Sequence, residues 1–132
     1  IGRKGRVVNL AGEKITDTHV SNAMAYACRK TGGEVVDYTV VGSVNDGIPS
    51  YTLAVMFRDD DTNPLEFALS FEEAMMESNY EFRHSREMGA LGATTILKMK
   101  TSHFDDILID SLQAKPISLT TDLSILAKCE AF

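Results

Sequence analysis

The sequence predicts an α+β fold: a mostly antiparallel sheet with helices packed on it, preceded by a short β-hairpin. Three observations carry this. Apolar residues alternating with the two-residue period of a strand mark 34–43, 50–58 and 92–100. Stripes at helical spacing mark 17–31 and 64–88. Between the first two strands, "VNDGIP" supplies turn chemistry.

The chain justifies each element in turn. "RVVNLAGEKIT" reads as two short strands turning at Gly12. Asp17 suits the cap of a helix whose apolar stripe is Val20, Ala23, Met24, Ala27 and Cys28, and Gly32 and Gly33 end it. "EVVDYTVVGS" and "SYTLAVMFR" follow as strands. In the second, Tyr51, Leu53, Val55 and Phe57 alternate with Thr52, Ala54 and Met56, so both faces are apolar enough for a central strand. "RDDDTNP" is a polar bend, after which Asn63 caps a helix opening on Pro64. That helix, or two helices broken near Ser70, stops at Gly89, with Met75 and Met76 as core filling. "GATTILKMK" is a strand. Ser102 and Asp105 form a capping pattern for "HFDDILIDSL", in which Phe104, Ile107 and Leu108 face inward. "TDLSILAKCEAF" reads as a short helix. The expected order is ββ-α-β-β-α-β-α, with Val20, Met24, Val40, Leu53, Val55, Phe57, Ile96 and Phe104 buried and Lys115 exposed.

At 132 residues the chain makes one domain. It begins with Ile1 rather than Met and is read as a C-terminal piece, 1–132, of a longer protein. The net charge of −6 speaks against a nucleic-acid partner, which needs clustered Lys and Arg. The exception is "IGRKGR" at the start, with Arg3 and Lys4, which chemistry alone reads as a solvated tail. No apolar run is long enough to cross a bilayer, and no membrane partner is expected. Cys28 and Cys129 stand apart without metal-ligand spacing and read as buried, reduced thiols of a cytoplasmic protein.

Common catalytic signatures are missing from the text: there is no Gly-x-Ser-x-Gly elbow and no Gly-x-x-x-x-Gly-Lys phosphate loop. His19, His84 and His103 lack metal spacing, and Asp59 to Asp61 read as a solvated acidic run, so no metal site is expected. Lys115, in "LQAKPIS", stands on a loop stiffened by Pro116; the residues alone leave it open between a surface lysine and a catalytic one. "NYEFRHSRE", residues 79–87, raises a sharper question. With Tyr80, Arg83 and Arg86 at three-residue spacing on one helix face, it reads either as an anion site or as a braced helix.

Together these segments resemble a known family. "VVDYTVVGSVNDGIPSYTLAVMFR" and "AMMESNYEFRHSR" are similar to segments of the auxin-responsive Gretchen Hagen family of acyl-acid-amido synthetases, within the adenylate-forming superfamily. In the second, Asn79, Tyr80, Phe82, Arg83 and Arg86 match that family's Asn-Tyr-x-(Tyr or Phe)-Arg-x-x-Arg segment. "GRKGRVVNLAGEKIT" resembles the start of the mobile C-terminal domain in bacterial members, and Gln113 to Lys115 resemble a Gln-x-Lys segment. The likeness runs over about residues 2–118.

The resemblance implies a mobile C-terminal domain whose partner is an N-terminal adenylation domain of the same chain. That domain would bind ATP with magnesium and a small acyl acid, and an amine or amino acid would take the acyl group. No cofactor is expected on this fragment, and alone it is expected to be inactive. Lys115 is implied as the adenylation lysine. Attack of a carboxylate on the α-phosphate gathers negative charge, which a fixed ammonium stabilises. Arg3 and Lys4 are implied at the hinge, and Asn79, Tyr80, Arg83 and Arg86 as a structural segment, with the arginines bracing the helix against acidic residues or carbonyls. Two other readings stay open: the C-terminal domain of a phenylacetate-type acyl-coenzyme A ligase, and a non-catalytic α+β ligand-binding or interaction module. The acyl acid and the amine are not legible.

Overall fold

The computed structural model describes residues 7–10, 13–59, 61–100 and 119–132. A two-residue strand pair, β1 (Val7–Val8) and β2 (Ile15–Thr16), leads directly into α1 (Asp17–Thr31). Thr16, not Asp17, is the helix cap. Thr16 ends β2 in extended conformation, so its hydroxyl is placed to accept the His19 N–H at 3.3 Å, while Asp17 is already helical. The Thr16 N–H in turn donates to His19 Nδ1 at 3.1 Å, a reciprocal cap in which histidine takes the usual place of Glu or Gln. Thr16→Ala is expected to cost about 1 kcal/mol in urea melts. A loss below about 0.3 kcal/mol would mean that the hydroxyl is dispensable.

After α1 closes on Gly32, β3 (Val35–Asn45) and β4 (Ile48–Phe57) form the long antiparallel ladder of the fold. Asp46 (φ 53°) and Gly47 (φ 80°) connect them, a two-residue turn with both residues left-handed, as the twist of a hairpin favours. Asn63 and Pro64 open α2 (Pro64–Ser78) as expected. The helical run breaks at Asn79 rather than near Ser70. Ser70 is buried within α2, whereas Asn79 is extended (φ −136°) and starts α3 (Tyr80–Glu87).

Among the described residues, β5 (Thr95–Met99), β6 (Leu119–Thr120) and β7 (Cys129–Glu130) complete a five-stranded sheet in the order β6-β3-β4-β5-β7. β4 is central, as its two apolar faces predicted. The sheet is mixed rather than mostly antiparallel: β4–β5 and β3–β6 pair in parallel. The helical crossover through α2 and α3 returns the chain to the same end of the sheet, and that makes β5 parallel to β4. Residues 121–132, expected as a short helix, form a 3-10 turn (Leu123–Lys128) and then β7, which fills the open edge of β5.

The core lies between one face of the sheet and the helices. Val40, Leu53 and Val55 pack with Val20, Met24, Phe67, Phe71, Met75 and Phe82. Phe57 and Ile96, expected inside, are only partly buried at its margin, where Phe57 meets Phe67 edge-on at 5.1 Å. Phe104 and the helix expected around it lie outside the described residues, as do Gly12 and Asp60. Cys28 and Cys129 are free thiols, half-buried rather than buried, and burial raises the pKa of each. Among the described residues, no helix is long and apolar enough to cross a membrane.

Candidate functional site

The stretch 79–87 is where the structure concentrates polar side chains. Asn79 faces two ways. Its Oδ1 accepts the Phe82 N–H at 2.9 Å and so caps α3, and its Nδ2 donates to the Lys14 carbonyl, also at 2.9 Å. One buried amide therefore joins the α2–α3 break to the entry hairpin. Phe82 is fully buried, which fixes the rotation of α3.

The two arginines have separate tasks. Arg86 reaches inward. Its Nε donates to Glu72 Oε2 at 2.7 Å, Nη2 to Glu72 Oε1 at 3.2 Å, and Nη1 to the Leu91 carbonyl at 3.3 Å. Glu72 also accepts the Thr94 N–H and hydroxyl at 3.1 and 3.0 Å. The fork-to-fork pair thus ties α2, α3 and the approach to β5 together. Arg83 lies on the surface with Glu87, one helical turn away at 3.3 Å. The expected common face of Tyr80, Arg83 and Arg86 does not form. Each three-residue step falls about 60° short of a full turn, so Arg86 has rotated away from Tyr80. Tyr80 is exposed and stacks on His84 with centroids 6.0 Å apart.

A second polar lock holds the entry hairpin from the sheet side. Glu13 is fully buried and accepts a 2.5 Å hydrogen bond from the Tyr51 hydroxyl as well as the Leu10 N–H at 3.2 Å. Burial, then the neighbouring Glu13, push the Tyr51 phenol far above its ordinary pKa, so it stays a donor. Gly42 permits the contact: a Cβ there would stand 3.0 Å from Leu10 Cδ1 and 3.2 Å from the Tyr51 ring. Glu13, Tyr51 and Glu72 were not singled out from the sequence. Two carried a signal: Tyr51 alternates with Leu53 and Val55, and Glu72 interrupts the buried stripe of Ala68, Phe71 and Met75. A polar group in such a position needs a partner.

A cleft of about 450 Å³ lies at the other end of α2 and is lined by Phe57, Pro64, Lys98, Met99 and Phe132. Its lysine stands cross-strand from Glu130. Arg3, Lys4 and Lys115 lie outside the described residues.

Comparison with known proteins places this arrangement. A family model described as the GH3 family C-terminal domain matches residues 18–118. A solved chain described as "GH3.15 acyl acid amido synthetase" superposes with a TM-score of 0.74 at 19% identity, over 96% of this chain and 26% of that one. A second, "AtGH3.15 acyl acid amido synthetase in complex with 2,4-DB", gives 0.70 at 18% identity, over 97% and 26%. At these identities the likeness to the solved chains is one of fold, and this chain spans about a quarter of their length. No curated protein matches the sequence.

Proposed function

The chain belongs to the GH3 family as its C-terminal domain, and from that premise we propose that it serves as the mobile domain of an ATP-dependent acyl-acid-amido synthetase. The family match over residues 18–118 carries this reading, and it favours it over an acyl-coenzyme A ligase or a free-standing binding module. In the proposed enzyme, the preceding domain binds ATP and a small carboxylic acid and forms the acyl-adenylate. An amine or amino acid then takes the acyl group. ATP enters as substrate with its magnesium.

The two locks support a swing of the whole domain. With Glu13 bound to Tyr51 and the Lys14 carbonyl bound to Asn79, the entry hairpin belongs to the body of the fold. We assign the pivot to the stretch upstream of Val7 that holds Arg3 and Lys4, as the family resemblance implies. Moving the domain as one piece changes which groups line the site between half-reactions. Lys115 is our candidate for the group presented during adenylation. The half-buried free thiols suit a reducing cytoplasm.

ATP–pyrophosphate exchange tests the reading. Full-length protein is expected to exchange in the presence of an accepted carboxylic acid, and the isolated 132 residues are expected not to. Robust exchange by the isolated chain, or none by the full-length protein across a panel of aromatic and aliphatic acids, would overturn it.

A further inference from the structure

We propose that the outer ridge of α3, formed by Tyr80, His84 and Met88, is the surface on which the preceding domain of the same polypeptide docks. This rests on the family reading above, which joins that domain to the N-terminal side of β1.

Among the described residues, the two apolar members of the ridge stand largely open to solvent. Tyr80 and Met88 are the two most exposed large hydrophobic residues among those described, at 76% and 69%. With His84 they recur every four residues and form one stripe. The helix beneath is rigid: Asn79 caps it, Phe82 anchors it and Arg86 is held by Glu72. A rigid helix presenting Tyr and Met, rimmed by Glu81, Arg83 and Glu87, has the make-up of an interface core within a charged border.

Location identifies the occupant. Asn79, the residue before Tyr80, is bonded to Lys14 in the hairpin through which the chain enters. The ridge therefore begins beside the junction with the rest of the protein. A partner tethered there is presented at high effective concentration. The related solved chains leave room for a partner of that size, since this domain corresponds to only 26% of their length. The competing apolar pair, Leu65 and Leu69 (66% and 59% exposed), lies toward the far end of α2. Leu65 is roughly 20 Å from Asn79 at 1.5 Å per residue.

The test uses the full-length protein carrying either Met88→Cys or, as comparator, Leu69→Cys. Each is labelled with a maleimide, read site by site by mass spectrometry, and normalised to its rate in the urea-unfolded chain. Labelling is followed without ligand and with magnesium ATP. The thiol at position 88 is expected to react about tenfold more slowly than that at position 69 in at least one condition, despite the greater exposure of Met88 within the domain. Adding Tyr80→Ser should speed it at least about threefold while leaving position 69 unchanged. Rates within twofold of each other in both conditions would overturn the proposal. Labelling needs no turnover. If position 88 is protected and pyrophosphate exchange fails, the enzymatic reading falls and the docking surface stands.

Discussion

Arg86→Ala is expected to destabilise the domain by about 3 kcal/mol in urea melts. Removing one partner of a buried ion pair typically costs ~3 to 5 kcal/mol, because the remaining charge stays in a poorly solvated place. The Glu72 side chain is 11% exposed and that of Arg86 26%, so solvent can replace little of the guanidinium. The lower end of the range applies because Thr94 still offers the carboxylate its N–H and hydroxyl. Arg86→Lys should recover only part of the loss, since an ammonium cannot make the two parallel bonds. Glu72→Met combined with Arg86→Met should cost less than Arg86→Ala alone, because no charge is then stranded. If Arg86→Ala costs under half a kcal/mol, the pair behaves like a surface salt bridge and 79–87 is not held by it.

That prediction bears on what the sequence could and could not disclose. The composition of 79–87 announced arginines but not their targets, because Glu72 and Leu91 come near Arg86 only once α2 and α3 fold against each other. The sequence analysis passed over Glu72, although a charge between the buried Phe71 and Met75 is an unmet demand for a partner. Three-residue spacing misled where it grouped Arg86 with Tyr80: adjacency along a helix does not persist over two steps.

Local chemistry was read well where one residue decides the conformation. Asp46 and Gly47 make the turn, Gly32 closes α1, and Asn63 with Pro64 opens α2. It was read less well where two neighbours compete. Thr16 and Asp17 are both good caps, and the choice was made by β2, which holds Thr16 extended. Ser70 is a weaker helix former than its neighbours, yet tertiary packing keeps it helical, and the break passes to Asn79, whose side chain can serve both the next helix and the hairpin. Strand direction was beyond local patterning altogether. Alternation places β5 in a sheet, but its parallel pairing with β4 follows from the helices crossing between them. β7 is two residues long, too short for any period to register.

Lys115→Ala in the full-length protein is expected to slow acyl-adenylate formation about 10²- to 10³-fold, the usual loss for one charge-stabilising contact in a transition state. Amide formation from supplied acyl-adenylate should keep its parental rate. The asymmetry is the informative part. A lysine that steadies charge on the α-phosphate is needed while the carboxylate attacks, and a domain that moves as one body carries it away before the amine arrives. The locks at Glu13–Tyr51 and Asn79–Lys14 favour such rigid transfer, because they tie the entry hairpin to the sheet and to the α2–α3 junction. A structural role for Lys115 would instead depress both half-reactions together, with a matching loss in thermal stability. Unchanged adenylation in the variant would make Lys115 a surface residue and turn attention to Lys98, Lys100 and Lys128. Of these, Lys98 lines the cleft at the start of α2, and Lys100 donates its backbone N–H to the Lys128 carbonyl at 3.1 Å. That bond clusters Lys100 and Lys128 at one sheet edge, where the same pair of assays on each single alanine variant would separate a moving cation from a fixed one.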